Sequence, residues 1–254
     1  MYGKHCTSEL LPFTFGTQNC PIETNNEPPK PVAEAELNDW QAQWNTSCLR
    51  RQLISFFGKY AQDGTARIDQ IICFGLGCLL TVCEGWPEVP RRAYLQHLAA
   101  CTIRDTLATY LDGNRPKIYA QDPSYTLAEE AYLLTHMNIT VLPDPEGFKA
   151  LNGNTLVLSF APNVPVRQIA LDMTHGSNGP AGIFCDAIKD DGLGCDGKGT
   201  SDDGLRRNVC PFSTDPSSPG LWKYKQESVS IEFEDKRDDG FGNIAVGVYL
   251  KKVQ

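Results

Sequence analysis

The sequence is poor in the features that usually give a function away. It has no basic excess: 23 lysines and arginines stand against 31 aspartates and glutamates, for a formal charge of −8 and a pI near 5.0. Such a surface repels nucleic-acid phosphates and anionic lipid, so neither a nucleic acid nor a membrane is expected as a partner. No apolar run approaches the roughly 18 residues that a membrane-spanning helix needs. The opening stretch MYGKHCTSELLPFTFGTQNC has no basic start followed by an apolar core, so a secretory leader is not expected. Cytoplasmic residence, with the nucleus as the other option, follows. The glycosylation-type tripeptides at Asn45 and Asn138 then read as chance matches.

The ten cysteines contain no Cys-x-x-Cys pair. Cys73, Cys78 and Cys83 are spaced by five, and Cys185, Cys195 and Cys210 are spread along a glycine-rich stretch. Neither pattern suits structural zinc or a disulfide framework, and no metal site is expected. The acidic run DDGLGCDGKGTSDD lacks the alternating aspartates and closing glutamate of an EF-hand.

What is present is the patterning of an α/β protein. With 41% hydrophobic and 21% charged residues, the composition excludes a disordered, collagen-like or coiled-coil chain. Residues 1–35 read as an extended polar lead-in and 36–254 as a single domain. Trp40, Trp44, Leu49, Leu53, Phe56, Phe57 and Tyr60 recur at helical spacing, in one helix or in two broken near Asn45. An apolar strand over 68–74 runs straight into Gly75 and Gly77, and after a short insert a long helix covers 92–111. A second strand, KIYAQ, stops at Asp122-Pro123. A helix capped by Thr126 with Glu129 follows, then strands at 139–144 and 155–160 and a helix entered through Pro165. Gly182 to Ile188 suits another strand. Residues 189–220 are a Gly/Asp/Ser-rich excursion, either a lid or an insertion, and 225–234 with 244–253 read as a terminal hairpin with one wet face. Strands alternating with helices of this length make parallel βαβ units. The fold expected is a Rossmann-like three-layer open sheet, mostly parallel, with a C-terminal antiparallel hairpin and a crevice at the strand carboxyl ends.

That crevice collects the candidate ligand-binding residues Gly75, Gly77, Asp122, Asp144, Ser159 and Asn163. Glycines at a strand end let a ligand approach the backbone, and an acidic residue closing the next strand suits ribose hydroxyls. The dinucleotide fingerprint is incomplete, because Leu80 stands where a third glycine would fall; a tight structural turn is the competing reading. Asp122 equally suits a turn-forming Asp-Pro. The ligand is expected to be S-adenosylmethionine-like or nucleotide-like, with no cofactor required by the sequence. Three residues are catalytic candidates: His97, Asp122 and His175. His97 shares the long helix with Gln96, Arg104 and Asp105 and is either an acid–base group or a packing residue. His175 matters only if 175–220 folds over the crevice. No nucleophile–base set stands out.

Cys73-Phe-Gly75-Leu-Gly77, Gln96-His97-Leu98, Asp122-Pro123 and Glu146-Gly147, in that order, resemble the SRR1-like domain family over residues 50–175. The family is known from plant light signalling and clock regulation. The resemblance implies a Rossmann-like fold, a pocket at these strand ends, and a regulatory or poorly defined enzymatic role. Many relatives carry a Pro-His-Cys cluster where this chain has Pro162-Asn163-Val164, which implies that any chemistry of that cluster is lost or replaced here. Two functions stay open: binding of a small-molecule ligand, as in a biosynthetic enzyme of unassigned reaction, or non-catalytic regulation or scaffolding through a protein partner.

Overall fold

A single serine divides the first helical stretch. Ser47 adopts an extended backbone (φ −65°, ψ 149°) between α1 (Glu34–Thr46) and α2 (Cys48–Gln62), and its hydroxyl accepts the Arg50 amide at 3.1 Å. An N-cap of this kind satisfies one of the amides a helix start leaves unpaired, contributing about 1 kcal/mol. The computed structural model describes residues 30–63, 67–82, 87–110, 115–189, 214–233, 241 and 245–252. Most of the polar lead-in (1–29) and most of the excursion (190–213) therefore lie outside the described residues.

The chain continues through β1 (Gln70–Phe74), α3 (Val89–Tyr110), β2 (Lys117–Gln121) and α4 (Leu127–Tyr132), which runs into a π turn at Leu133–Met137. Then come β3 (Ile139–Val141), α5 (Glu146–Lys149), β4 (Thr155–Ser159), α6 (Val166–Met173), β5 (Gly182–Asp186), α7 (Pro219–Gln226), β6 (Ser228–Phe233) and β7 (Val246–Lys251). They form one seven-stranded sheet in the order β3-β2-β1-β4-β5-β7-β6. The first five strands are parallel, and β7 runs antiparallel to both β5 and β6. The chain moves outward from β1 to β2 and β3, then returns to place β4 on the other flank of β1. The switch point therefore lies between β1 and β4, where open α/β sheets hold their ligands.

Period-two alternation splits β1 between two cores. Ile71 and Cys73 pack with Leu53, Phe57, Ala99 and Ile103 beneath α1–α3. Ile72 and Phe74 face the other way, onto Leu151, Val166 and Ala170 under α5 and α6. All of these strand residues are at most 2% exposed, so the central strand is apolar on both faces. A third cluster joins Ile183, Cys185 and Tyr249 to Leu221 and Tyr224 of α7.

The mostly parallel sheet with antiparallel C-terminal strands is as the sequence suggests. The wet face assigned to the terminal hairpin is not. Val246 to Leu250 are all buried, because β7 is inserted between β5 and β6 and is covered on both sides. Of the two hairpin strands only the edge strand β6 meets solvent, at Val229, Ser230 and Glu232, which do not share one face. Helix α7 is a second difference: its first residues were expected in the loop and its last in a strand. Ser218 caps it by accepting the Leu221 amide at 3.2 Å, Pro219 sits at its first position, and Leu221 and Tyr224 are buried. Among the described residues, no helix is long and apolar enough to cross a membrane.

Candidate functional site

The turn after β1 is built on two left-handed residues, Gly75 (φ +66°) and Gly77 (φ +84°), a conformation that a side chain would strain. Gly75 donates its amide to the Gln121 carbonyl at 3.0 Å, extending the β1–β2 ladder by one rung. Gly77 donates to Asp122 Oδ2 at 2.8 Å, while Asp122 Oδ1 accepts the Ser124 amide at 2.9 Å and the Ser124 hydroxyl. Two later amides of the turn are taken by Glu129, which is fully buried. Its Oε1 accepts from Leu79 and Leu80 at 3.0 and 3.3 Å, and its Oε2 from the Thr126 amide and hydroxyl at 2.9 and 3.1 Å. Thr126 in turn accepts the Glu129 amide at 3.3 Å, closing the capping box of α4. Three amides of the turn, those of Gly77, Leu79 and Leu80, are therefore already paired with two of the protein's own carboxylates and not free to cradle a phosphate.

His97 lies beneath this turn, in α3, with 0% exposure. Its Nδ1 is 2.6 Å from the Ala93 carbonyl and its Nε2 is 2.8 Å from the Tyr125 hydroxyl. The carbonyl can only accept, so the Nδ1–H tautomer is assigned and Tyr125 donates to Nε2. Burial pulls the imidazole pKa down to about 4, outweighing the Ala93 carbonyl, Asp122 and Glu129, which pull it up. The ring is neutral near pH 7, both nitrogens are engaged, and no part of it reaches solvent. This is the geometry of the packing reading and offers no open lone pair for acid–base work. Its helix companion Arg104 points elsewhere, bonding Asp105 at 2.8 Å and the Met137 carbonyl at 2.7 Å.

On the β3 flank, the buried Gln121 bridges two loops. Its Nε2 donates to Asp144 Oδ1 at 2.8 Å and its Oε1 accepts the Gly147 amide at 2.7 Å. A Cβ on Gly147 would stand 2.5 Å from that Oε1 and 3.0 Å from the Phe74 ring, which leaves room only for glycine. At the switch point the buried Ser159 donates to the Phe74 carbonyl at 3.1 Å, stitching β4 to β1. Just above, Pro162 comes within ordinary contact of the space beside Gly75. Asn163 and Val164 are exposed. Gly75, Gly77, Asp122, Asp144, Ser159 and Asn163 thus all lie at the carboxyl ends of β1 to β4. His175 does not. It follows α6 and precedes β5, which puts it at the amino ends of the strands, across the sheet from the crevice.

A second polar group closes the β4–β5 margin, and nothing local in the sequence announced it. The Arg167 amide and Nε donate to Asp215 Oδ2 at 3.1 and 3.0 Å, Nη2 to the Asp215 carbonyl, and Nη1 to the Asp186 carbonyl at 3.3 Å. Asp186 Oδ2 accepts the amide of Ala161, itself left-handed at φ +45°. Asp186 Oδ1, Asp215 Oδ1 and Gln168 Oε1 are buried with no hydrogen-bond partner among the described residues. With acceptors in excess, burial raises both acids, Asp215 to about 6 in spite of Arg167. The neighbouring Cys185 thiol is pushed up to about 12, chiefly by burial. Among the described residues, no group of three or more His, Cys, Asp and Glu could hold a metal ion.

The chain has no match among curated proteins. Among solved structures it is similar to the methyltransferase domain of bacterial CtHen1-C, at 10% identity and a TM-score of 0.30 over 82% of this chain and all of that one. The model of the SRR1 domain matches residues 41–231, and with most of its length covered the chain belongs to the SRR1 domain family.

Proposed function

We propose that the chain binds a phosphate-free nucleoside-type ligand, of the S-adenosylmethionine class, in the crevice above β1, β2 and β4. One observation carries the reading: Asp122, half-exposed at the end of β2, holds the glycine turn at the switch point through a single bond to Oδ2. A carboxylate oxygen accepts more than one donor, so a ribose diol has acceptors left to use there. The rest of the crevice disfavours phosphate. The Gly77, Leu79 and Leu80 amides are spent on Asp122 and Glu129, and the exposed Asp144 adds a carboxylate at the lip, beside a Glu146 already paired with Lys149 at 2.8 Å, which suits hydroxyls or a sulfonium better than a phosphate chain. The ligand would then serve binding and regulation in the cytoplasm or nucleus.

A second reading, a non-catalytic scaffold for a protein partner, draws on the internal engagement of Ser159 and His97 and on Asn163-Val164 in place of a His-Cys pair. Calorimetry separates the two. S-adenosylmethionine, S-adenosylhomocysteine and adenosine should bind, and ATP and NAD should not. Asp122→Asn keeps an acceptor for Gly77 and should weaken the adenosyl ligands about tenfold, a loss of about 1.4 kcal/mol, with little change in Tm. Silence from all three adenosyl ligands would leave the scaffold reading.

A further inference from the structure

The helical layer carries a groove of about 520 Å³ that the crevice does not use. The outer side of α3 is its floor, the α1–α2 corner is one wall, and α4 with its π turn is the other. That volume lies within the roughly 300–1,000 Å³ of small-molecule sites. We propose that this groove binds a small aromatic carboxylate.

Charge gives the anion. In a chain of formal charge −8, the groove is lined by the guanidinium-bearing Arg50 and Arg104 and by one acid, Asp105. Asp105 is already committed: it accepts from Arg104 Nε at 2.8 Å and from Arg115 Nη2 at 2.6 Å, and these two arginines hold its carboxyl below the usual range against the opposing effect of burial. Arg104 is held in place as well, through the Met137 carbonyl at 2.7 Å. The side chain of Arg50, half-buried, has neither hydrogen bond nor ion pair among the described residues. A guanidinium placed this way pairs bidentately with a carboxylate. One unpaired cation next to a committed acid suits a monoanion better than a doubly charged phosphate.

The walls give the body. Trp44 is almost wholly buried and spends its indole N–H on the Thr102 hydroxyl at 2.9 Å, so it lines the groove as an apolar edge and offers no donor. Tyr110 is 43% exposed, and its ring lies across Gly58, where even a Cβ would come within 3.1 Å of it. Tyr132 stacks on His136 at 4.2 Å and 15°. An aromatic lining held in place around a guanidinium, with the Tyr110 ring its exposed member, favours a planar apolar body with a carboxylate at one end. The π turn that forms the far wall is an independent pointer. Its widened hydrogen bonding is less favourable than a regular helix and recurs where helices line functional sites.

The test uses the full chain and 1-naphthoate, by calorimetry and tryptophan fluorescence. Saturable binding is expected, with 1-naphthamide at least about tenfold weaker because it lacks the charge. Arg50→Met should cost about tenfold in affinity with unchanged Tm, and Arg50→Lys should recover part of it. Thr109→Trp, which fills the groove from an exposed position, should abolish binding. Saturating S-adenosylmethionine should leave naphthoate affinity untouched, so failure of the crevice reading and failure of this one are separable. The proposal is overturned by no saturable naphthoate binding, by equal affinity for acid and amide, or by binding that survives Arg50→Met and Thr109→Trp. Binding of an acidic aromatic peptide with naphthoate silent also overturns it, in favour of a protein partner.

Discussion

The two flanks of the switch point bury carboxylates to a similar depth and satisfy them very differently. On the β1–β2 flank, Glu129 has no exposed surface and accepts four hydrogen bonds, and Asp122 accepts three. On the β4–β5 flank, Asp215 is 4% exposed and pairs with Arg167, which also reaches the Asp186 main-chain carbonyl, yet one carboxylate oxygen of each acid has no partner among the described residues. The first flank uses backbone amides as fixed donors. The second uses a single long guanidinium that pairs with one carboxylate, Asp215, and otherwise with the main-chain carbonyls of Asp215 and Asp186. Hydrogen bonding to a buried carboxylate offsets its desolvation only when it is complete, so the first arrangement holds a turn rigidly while the second leaves both acids raised by burial, Asp215 to about 6.

The largest test of this contrast is Glu129→Ala. It would strand the Leu79, Leu80 and Thr126 amides at once, and each buried donor left unpaired costs about 1–3 kcal/mol. A loss of about 3 kcal/mol or more is expected in urea unfolding, with looser hydrogen exchange across residues 75–80. A loss under about 1 kcal/mol would mean that the turn holds itself and that Glu129 is incidental.

Titration tests the same flank without removing anything. His97 has a folded pKa of about 4 against an ordinary 6.5, so the unfolded chain binds the extra proton. Stability from this group is complete above about 6.5 and falls as pH drops toward 4, by about 3 kcal/mol in all. The wild type minus His97→Gln difference in unfolding free energy should follow that slope between pH 7 and 4.5. A flat difference would show that the ring is hydrated and not sealed beneath Tyr125.

These ties explain what could be read from the chain and what could not. Period-two apolar runs ending in glycine gave the strands, and the order in which they alternate with helices gave a parallel sheet, because both are local patterns. Gly75, Gly77 and Asp122 were visible because their residue types carry their backbone roles. Glu129 was recognisable as a capping-box residue, but its grip on Leu79 and Leu80 spans 50 and 49 residues and leaves no local mark. The Arg167–Asp215 pair spans 48 residues and ends in a Pro/Ser-rich stretch of loop composition. Helix α7 was hidden for a related reason: Ser218-Pro219-Gly220 has turn composition, and only burial of Leu221 and Tyr224 makes it a helix start. The position of β7 was illegible because its alternation says nothing about which strands flank it. The place of His175 was illegible through the same gap, since its end of the sheet depends on the direction of β5.

The smallest expected effect is the sharpest discriminator between the flanks. Asp215 has a folded pKa of about 6 against an ordinary 3.8, so here the folded state binds the extra proton. Its contribution is opposite in sign to that of His97: stability falls as pH rises from about 3.8 to 6 and is flat above, the cost of holding a buried charge. Asp215→Asn removes that charge and keeps an oxygen for the Arg167 amide and Nε. Breaking a buried ion pair usually costs about 3–5 kcal/mol, because the partner is left uncompensated. Here Arg167 retains the carbonyls of Asp215 and Asp186, so a change within about 1 kcal/mol is expected at pH 7, where the equivalent Glu129→Gln loses several times more. The Asn variant should also lose the decline between pH 4 and 6 relative to wild type. If it costs as much as Glu129→Gln, both flanks are equally committed and the unpartnered oxygens of Asp186 and Asp215 are satisfied by water; if it is near neutral, the β4–β5 margin is the adjustable side of the crevice, held by one arginine that can share itself with a ligand.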